Sequence, residues 1–305
     1  MYKIAVIGEC MVELYQNDEG LYKQKFGGDT FNCAVYLKRS LHNARVEYVT
    51  VLGKENLSAQ MIDFFHNEEI QTNYIDRLQD KTAGLYIIHT KDGERSFSYW
   101  RSDSAAKKLF ITKSLKKIQS DFIKFDLIYF SAITLAIMSE EGRKNLYSIL
   151  KVARSRGVKV AYDPNYRPRL YDSQEQAKAL HLEASKYCDI YLPSVDDEKG
   201  LWGDISIEEI MKNDNCSEVV IKRGGEGIVY KKDGKKEEIK IDKLKSIVDS
   251  TSAGDSFNGA YLAARLENLS IKESIKKASR LAAKVVMHKG AIMPKEENEQ
   301  HNRKI

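Results

Sequence analysis

Short apolar runs rich in β-branched residues recur along this chain between longer stretches of helical period. No other feature constrains the fold as much, because this alternation marks an α/β chain built on a largely parallel sheet. The runs that read as strands are residues 3–8, 48–52, 127–131, 159–163, 190–193, 218–222 and 227–230. Most are apolar on both faces, as strands covered by helices on two sides must be. Between and after them, Leu146, Ile149, Leu150 and Ala153 recur at helical spacing, as do Phe257, Ala260, Tyr261 and Ala264. Ile271, Ile275, Ala278, Ala282 and Val285 do the same near the end, so each set presents one apolar face to a core. No repeat or linker divides the chain, which reads as one domain over residues 1–294 followed by a polar tail, 295–305, that frays.

One region breaks the alternation. Residues 84–89 and 95–101 are extended runs flanking Lys91-Asp92-Gly93-Glu94, and Asp-Gly is a strong hairpin signal. A two-residue turn there sets Tyr86 opposite Tyr99. Period two then places Tyr86, Ile88, Phe97, Tyr99 and Arg101 on one face, and Leu85, Ile87, Ser96, Ser98 and Trp100 on the other. A face of two tyrosines and an arginine suits a small polar ligand. A second hairpin is predicted over residues 11–26 around Asn17-Asp18-Glu19-Gly20. Together, residues of about 11–30 and 84–101 would form a small β lid over a cleft, and its free edges would favour a homodimer.

Composition narrows the partners. Among 305 residues, 49 Lys and Arg against 44 Asp and Glu leave a formal charge of +5, too mild for a nucleic-acid protein. With 42% hydrophobic residues the chain can bury a sizeable core, and disorder is excluded. The uncharged run 127–139 falls far short of the ~20 apolar residues of a membrane span, and Glu9 interrupts the first apolar stretch before it could act as a leader. Four scattered cysteines without a CxxC pair, and histidines without ligand spacing, suggest neither disulfides nor zinc. The expected home is the cytoplasm.

The most informative segment is Asp249-Ser250-Thr251-Ser252-Ala253-Gly254-Asp255-Ser256-Phe257, which follows a strand-like 246–248 and opens an amphipathic helix. Small residues there let backbone N–H groups converge on a phosphate at the positive end of the helix dipole. A carboxylate beside a phosphate is repelled unless it has another task, and accepting a proton from an attacking hydroxyl is one. The bland alternative is that Ser252 caps the helix and Asp255 complements its dipole. Gly27-Gly28-Asp29-Thr30-Phe31-Asn32 likewise opens a helical run, either to grip sugar hydroxyls or as a turn and cap. Asp163-Pro164-Asn165-Tyr166-Arg167-Pro168 ends a buried strand, where ligands of open α/β sheets collect. Lys222-Arg223-Gly224-Gly225-Glu226-Gly227 is a hairpin turn that can also border a nucleotide. There is no GxxxxGK[ST] and no GxGxxG, which removes Walker-type and dinucleotide readings.

These segments, in this order, resemble the PfkB (ribokinase-like) family of carbohydrate kinases from Lys3 to about Pro294. Within it, Ile7-Gly8-Glu9-Cys10-Met11, Phe26-Gly27-Gly28-Asp29-Thr30, Tyr99-Trp100-Arg101, Asn165-Tyr166-Arg167-Pro168-Arg169-Leu170 and Gly290-Ala291-Ile292 are most similar to the branch that phosphorylates 2-keto-3-deoxygluconate. The resemblance implies a ribokinase-like three-layer α/β/α sandwich with a small β-sheet lid. It implies transfer of the γ-phosphoryl group of ATP, with Mg²⁺, to the C6 hydroxyl of that sugar acid. By the same resemblance Asp255 is the catalytic base, and Ser252, Ala253 and Gly254 form the anion hole. Asn165, Arg167, Lys222, Gly224, Gly225, Gly227, Ser252 and Gly254 correspond to nucleotide-contacting positions. Gly28, Asp29, Asn32, Tyr86, Tyr99, Arg101, Arg167, Asp255 and Ala291 correspond to positions at the substrate. Two arginines suit a substrate carboxylate; ribose or fructose would need neither.

The family's last signature usually reads Asp-Thr-x-Gly-Ala-Gly-Asp, and here Ser250 and Ser252 replace the Thr and the first Gly. Its Asn-x-x-Glu motif, tied to magnesium, survives only as Ser194-Val195-Asp196-Asp197 followed by Glu198, so no metal ligand is assigned. Asp249 and Thr251 correspond to a border for a monovalent cation. The rival readings are another sugar kinase of the family, for fructose or ribose, and a sugar-acid sensor without catalysis.

Overall fold

Strand β1, Tyr2–Ile7, turns Ile4 and Val6 into one apolar cluster and Ala5 and Ile7 into another, all fully buried. That alternation on a strand covered on both faces is the plan of the whole molecule. A computed structural model describes residues 1–295 except 18, 92–93, 214, 233, 242–243 and 245. The strands that follow are β2 Met11–Gln16, β3 Tyr22–Gly27, β4 Ala44–Gly53, β5 Ile75–Leu78, β6 Leu85–Lys91 and β7 Glu94–Trp100. After them come β8 Leu127–Ser131, β9 Lys159–Asp163, β10 Ile190–Tyr191, β11 Glu218–Lys222, β12 Ile228–Lys232 and β13 Lys235–Ile239. The helices are α1 Asp29–Ser40, α2 Asn56–Asn67, α3 Leu115–Phe122, α4 Ala132–Ile137, α5 Glu140–Ser155 and α6 Gln174–Ser185. The chain continues through α7 Val195–Trp202, α8 Ile207–Met211, α9 Ala253–Leu266 and α10 Ile271–Val285.

Nine strands form one sheet in the order β13-β12-β11-β10-β9-β8-β1-β4-β5. It is parallel from β5 through β11 and antiparallel at the β11-β12-β13 edge. One face packs on α1, α2, α9 and α10, the other on α3, α4, α5 and α8. This is the expected three-layer α/β/α sandwich.

A separate four-stranded sheet has the order β3-β2-β6-β7. Only three residues, Gly8, Glu9 and Cys10, join β1 to β2, so this small sheet springs from the carboxyl end of β1. Both predicted hairpins are present: β2 pairs antiparallel with β3, and β6 with β7 in a register that sets Tyr86 against Tyr99. The Asp92-Gly93 turn itself, Asp18 of the other hairpin, and residues 296–305 of the predicted frayed tail lie outside the described residues.

At its edges the sheet differs from the strands predicted from the sequence. Strands β5 and β13 have no predicted counterpart, β4 begins four residues before the predicted run, and residues 246–248, predicted as strand-like, lie outside any strand. Strand β13 reads Lys-Lys-Glu-Glu-Ile and β5 has Asp76 and Arg77 at its centre. Edge strands carry such charges because one side meets water and deters further pairing.

Candidate active site

The carboxyl ends of β1, β9 and β11 and the amino ends of α1 and α9 deliver polar groups to one place, as open α/β sheets do at strand ends. Asp255 lies in the first turn of α9, and Asn32, in the first turn of α1, donates from Nδ2 to its Oδ2 at 2.9 Å. Asp29, at the first position of α1, accepts from Asn165 Nδ2 at 3.1 Å. The Asn165 amide donates to Asp163 Oδ1 at 3.2 Å, and Asp163 Oδ2 accepts from Asn258 Nδ2 at 2.7 Å. Asn258 Oδ1 in turn accepts from Lys222 Nζ at 3.1 Å, while Lys222 and Asp163 form an ion pair at 3.6 Å. Polar groups this deeply buried need partners, and the chain of bonds supplies them.

Burial, together with the Asp29 and Asp163 charges, pushes the Asp255 carboxyl up from 3.8 to about 7; the Asn32 bond pulls the other way. Such a value near neutrality is what a general base needs. Burial pushes Asp163 up as well, while the Lys222 ammonium opposes it.

At the start of α9, Ser252 stands at the N-cap with φ 64°, the left-handed region, and makes no side-chain cap bond. The capping alternative therefore fails for Ser252. The left-handed backbone explains why the family prefers glycine there. The first ladder bond runs from Ser256 N–H to Ser252 O at 2.9 Å, so the amides of Gly254 and Asp255 precede the ladder. The Ala253 amide reaches only Ser250 O, at 3.3 Å. Lys222 Nζ lies 3.8 Å from where a Cβ on Gly254 would be, so ammonium and helix end meet at one spot.

A second group of residues belongs to the small sheet. Tyr86 donates its hydroxyl to Glu13, and Arg101 pairs with Glu9. Tyr99 is half exposed and packs tilted on Tyr86 at 5.9 Å between centroids. Gly27 joins the two groups: a Cβ there would lie 3.3 Å from Tyr86 Oη and 3.7 Å from Asn32 Oδ1.

The remaining predicted residues sort unevenly. Gly28 opens α1, and its missing side chain makes room for the Glu9 carbonyl, since a Cβ would overlap that oxygen. Arg167 donates from Nη1 to Asp197 Oδ1 at 2.8 Å and is 51% exposed, so it stands at the rim. Asp197, the residue at the family's Glu position, also accepts from Ser194 Oγ at 2.8 Å. Its neighbour Glu198 is buried, accepts from Tyr191, and is pushed up to about 7 by burial. Gly224 and Gly225 border open space, whereas Gly227, at φ 108°, packs against the Ile239 carbonyl. The Ala291 carbonyl is turned to Tyr36, whose hydroxyl donates to it at 2.8 Å. Asp249 ties the α9 entry to this last segment, accepting from the Thr251 amide at 3.0 Å and the Gly290 amide at 2.7 Å.

Sequence reasoning passes over four residues: Asn258, Tyr129, whose hydroxyl accepts from Asn258 Nδ2 at 3.2 Å, Glu9 as a partner and Glu13. Asn258 is the one with a readable signal, since it follows Asp255 by three and so shares its helix face. A cavity of about 390 Å³ at the amino ends of β1, β8 and β9, beside the Arg265–Glu218 pair, contains none of the residues above.

The model for pfkB family carbohydrate kinases matches residues 1–298. A 2-dehydro-3-deoxygluconokinase of Escherichia coli (strain K12) is 40% identical over 309 residues, covering 96% of this chain and 98% of its own. One from Haemophilus influenzae is 36% identical, covering 97% and 96%. Among solved structures, a 2-dehydro-3-deoxygluconokinase from Thermotoga maritima superposes with a TM-score of 0.81 at 23% identity, over 98% of this chain and 97% of that one. A putative ribokinase II from E. coli in complex with ATP and Mg²⁺ gives 0.84 at 21%, over 100% of both. With that agreement in sequence and fold, the chain belongs to the pfkB family of carbohydrate kinases.

Proposed function

We propose that this protein transfers the γ-phosphoryl group of ATP to the C6 hydroxyl of 2-keto-3-deoxygluconate (2-dehydro-3-deoxygluconate), giving the 6-phosphate. The observation that carries the reading is Asp255, bonded to Asn32 at the amino end of α9 beside the unladdered amides of Gly254 and its own N–H. Asp255 accepts the proton of the attacking hydroxyl. The amides of Ser252, Ala253 and Gly254 hold the migrating phosphoryl group, and Lys222 adds positive charge at the same spot. Asn165, Arg167 and the Gly224–Gly227 turn border the nucleotide, and the open space beside Gly224 and Gly225 leaves room for it.

The substrate lies against Gly28, Asp29, Asn32, Tyr86 and Tyr99, with Arg101 and Arg167 directed to its carboxylate and Ala291 nearby. Relatives at 36–40% identity bear the name of this activity, which supports a sugar acid over a neutral sugar. The small sheet acts as a lid that excludes water, a competing acceptor.

Mg²⁺ bound with ATP would neutralise charge on the β- and γ-phosphates. Among the described residues no group of three or more His, Cys, Asp or Glu is placed to hold a metal ion. Asp249 and Thr251 border a monovalent cation in this reading. In this reading residues 1–294 act as one kinase domain, in the cytoplasm. Leu21, Tyr22 and Trp100, exposed on the small sheet, with Tyr22 and Trp100 on the face away from Tyr86 and Tyr99, support a homodimer through that surface, which light scattering tests.

The experiment is coupled ADP release with 2-keto-3-deoxygluconate beside fructose and ribose. Turnover with the acid and little with the sugars is expected. Faster turnover of a neutral sugar would replace this substrate with that one, and ligand binding without ADP release would favour the sensor.

A further inference from the structure

Arg101 follows β7 and Glu9 follows β1, so the ion pair between them fastens one end of the small sheet to the carboxyl edge of the large one. The Glu9 side chain is 1% exposed and that of Arg101 12%, which puts the pair out of reach of bulk water. Gly84 makes the space: a Cβ there would lie 2.8 Å from Glu9 Oε1, 3.1 Å from Met11 Cγ and 3.3 Å from Arg101 Cβ. Among the described residues one corner of the guanidinium is engaged, Nη2 on Glu9 Oε2. Among the described residues Arg101 Nε and Glu9 Oε1 are both buried without a hydrogen-bond partner, so the two-pronged pairing these groups are capable of is half made.

A carboxylate that tethers a buried arginine at one corner leaves the rest of its fork aimed in a set direction. We propose that Glu9 is a positioning residue for Arg101, anchoring the guanidinium so that its remaining donors are presented to the substrate carboxylate. This rests on the reading that Arg101 meets the acid group. Without the anchor the guanidinium, buried beside no anion, turns to the nearest water, and the substrate must recapture it at a loss of orientation. Glu9 touches neither the phosphoryl group nor the acceptor hydroxyl, so the effect falls on capture of the acid and not on transfer.

Two variants separate anchoring from charge. Glu9→Ala removes the acceptor, while Glu9→Gln keeps an oxygen in its place. Glu9→Ala is expected to raise KM for 2-keto-3-deoxygluconate at least tenfold, with kcat within threefold and KM for ATP unchanged. Glu9→Gln is expected to stay within about threefold of the parent on all three. In the double variant with Arg101→Ala, the Glu9→Ala effect disappears. Should Glu9→Ala not fold, Glu9→Asp, one methylene short, carries the same test with a KM rise of threefold or more.

An unchanged KM in the folded Glu9 variants, with Arg101→Ala still impaired, overturns the positioning role and leaves the substrate reading standing. A lowered KM shows that Glu9 competes with substrate instead, and also overturns it. If Arg101→Ala itself binds the acid as well as the parent, the underlying reading falls, and the role of Glu9 with it.

Discussion

Asn32 and Asp255 stand 223 residues apart in the chain and are joined by a 2.9 Å hydrogen bond from Nδ2 to Oδ2. The bond fixes one carboxylate oxygen, leaves the other for an acceptor hydroxyl and favours the charged form of Asp255. Asn32→Ala removes that support, so the Asp255 carboxyl moves further above about 7. The acid limb of the pH profile of kcat/KM then shifts upward by roughly 0.5–1 pH unit, the equivalent of one hydrogen bond. Activity falls more at pH 6 than at pH 8.5, and steady-state rates across that range check it.

Asp255 also carries a stability cost with a defined sign. Its folded-state value, raised from 3.8 to about 7, favours the neutral acid. The benefit is fully present below pH 4 and is lost as pH rises through 7. Asp255→Asn cannot ionise and escapes that loss. Glu198, also raised to about 7, is present in both proteins and cancels. Calorimetric melting should show the variant gaining about 1–3 kcal/mol over the parent at pH 8, a few degrees of Tm, and nothing comparable at pH 4.

Ser252 occupies a left-handed backbone conformation at φ 64°. A side chain there costs roughly 1 kcal/mol relative to glycine, and the amide that serves the anion hole belongs to the backbone. Ser252→Gly should therefore stabilise the protein by about 0.5–1 kcal/mol and keep turnover within a few-fold. Urea unfolding paired with the ADP-release assay measures both.

Two glycines should answer alanine oppositely. Gly28 has the Glu9 carbonyl where a Cβ would go, whereas Gly225 faces open space. Gly28→Ala must push α1, with Asp29 and Asn32, away from β1; a stability loss of about 2 kcal/mol or more is expected, with a fall in kcat. Gly225→Ala should leave the melting temperature alone and raise KM for ATP several-fold if the turn borders the nucleotide. An unchanged KM for ATP would remove Gly225 from that border.

The buried middle of the fold was legible because it is repetitive: β8, β9 and β11 have the boundaries their apolar runs imply. The edge strands were not, since β13 is almost wholly charged and its pairing is decided by its neighbour β12. At the site, the residues that open helices, Asp29, Asn32 and Asp255, were readable from small-residue turns before amphipathic runs. The partners that hold them were harder. Glu9 and Glu13 lie in the first strand region with no local sign that they would meet Arg101 and Tyr86, contacts that exist only because β2 pairs with β6. Chemistry announces itself locally, whereas positioning depends on which distant elements the topology makes neighbours.

The most direct test of the account is Asp255→Asn, assayed for ADP release with saturating ATP and 2-keto-3-deoxygluconate and, separately, for binding of the keto acid by calorimetry. Proton acceptance by Asp255 predicts a kcat lower by roughly 10²- to 10⁴-fold with the dissociation constant changed little. Turnover near that of the parent, in a variant that still binds the acid, would contradict it.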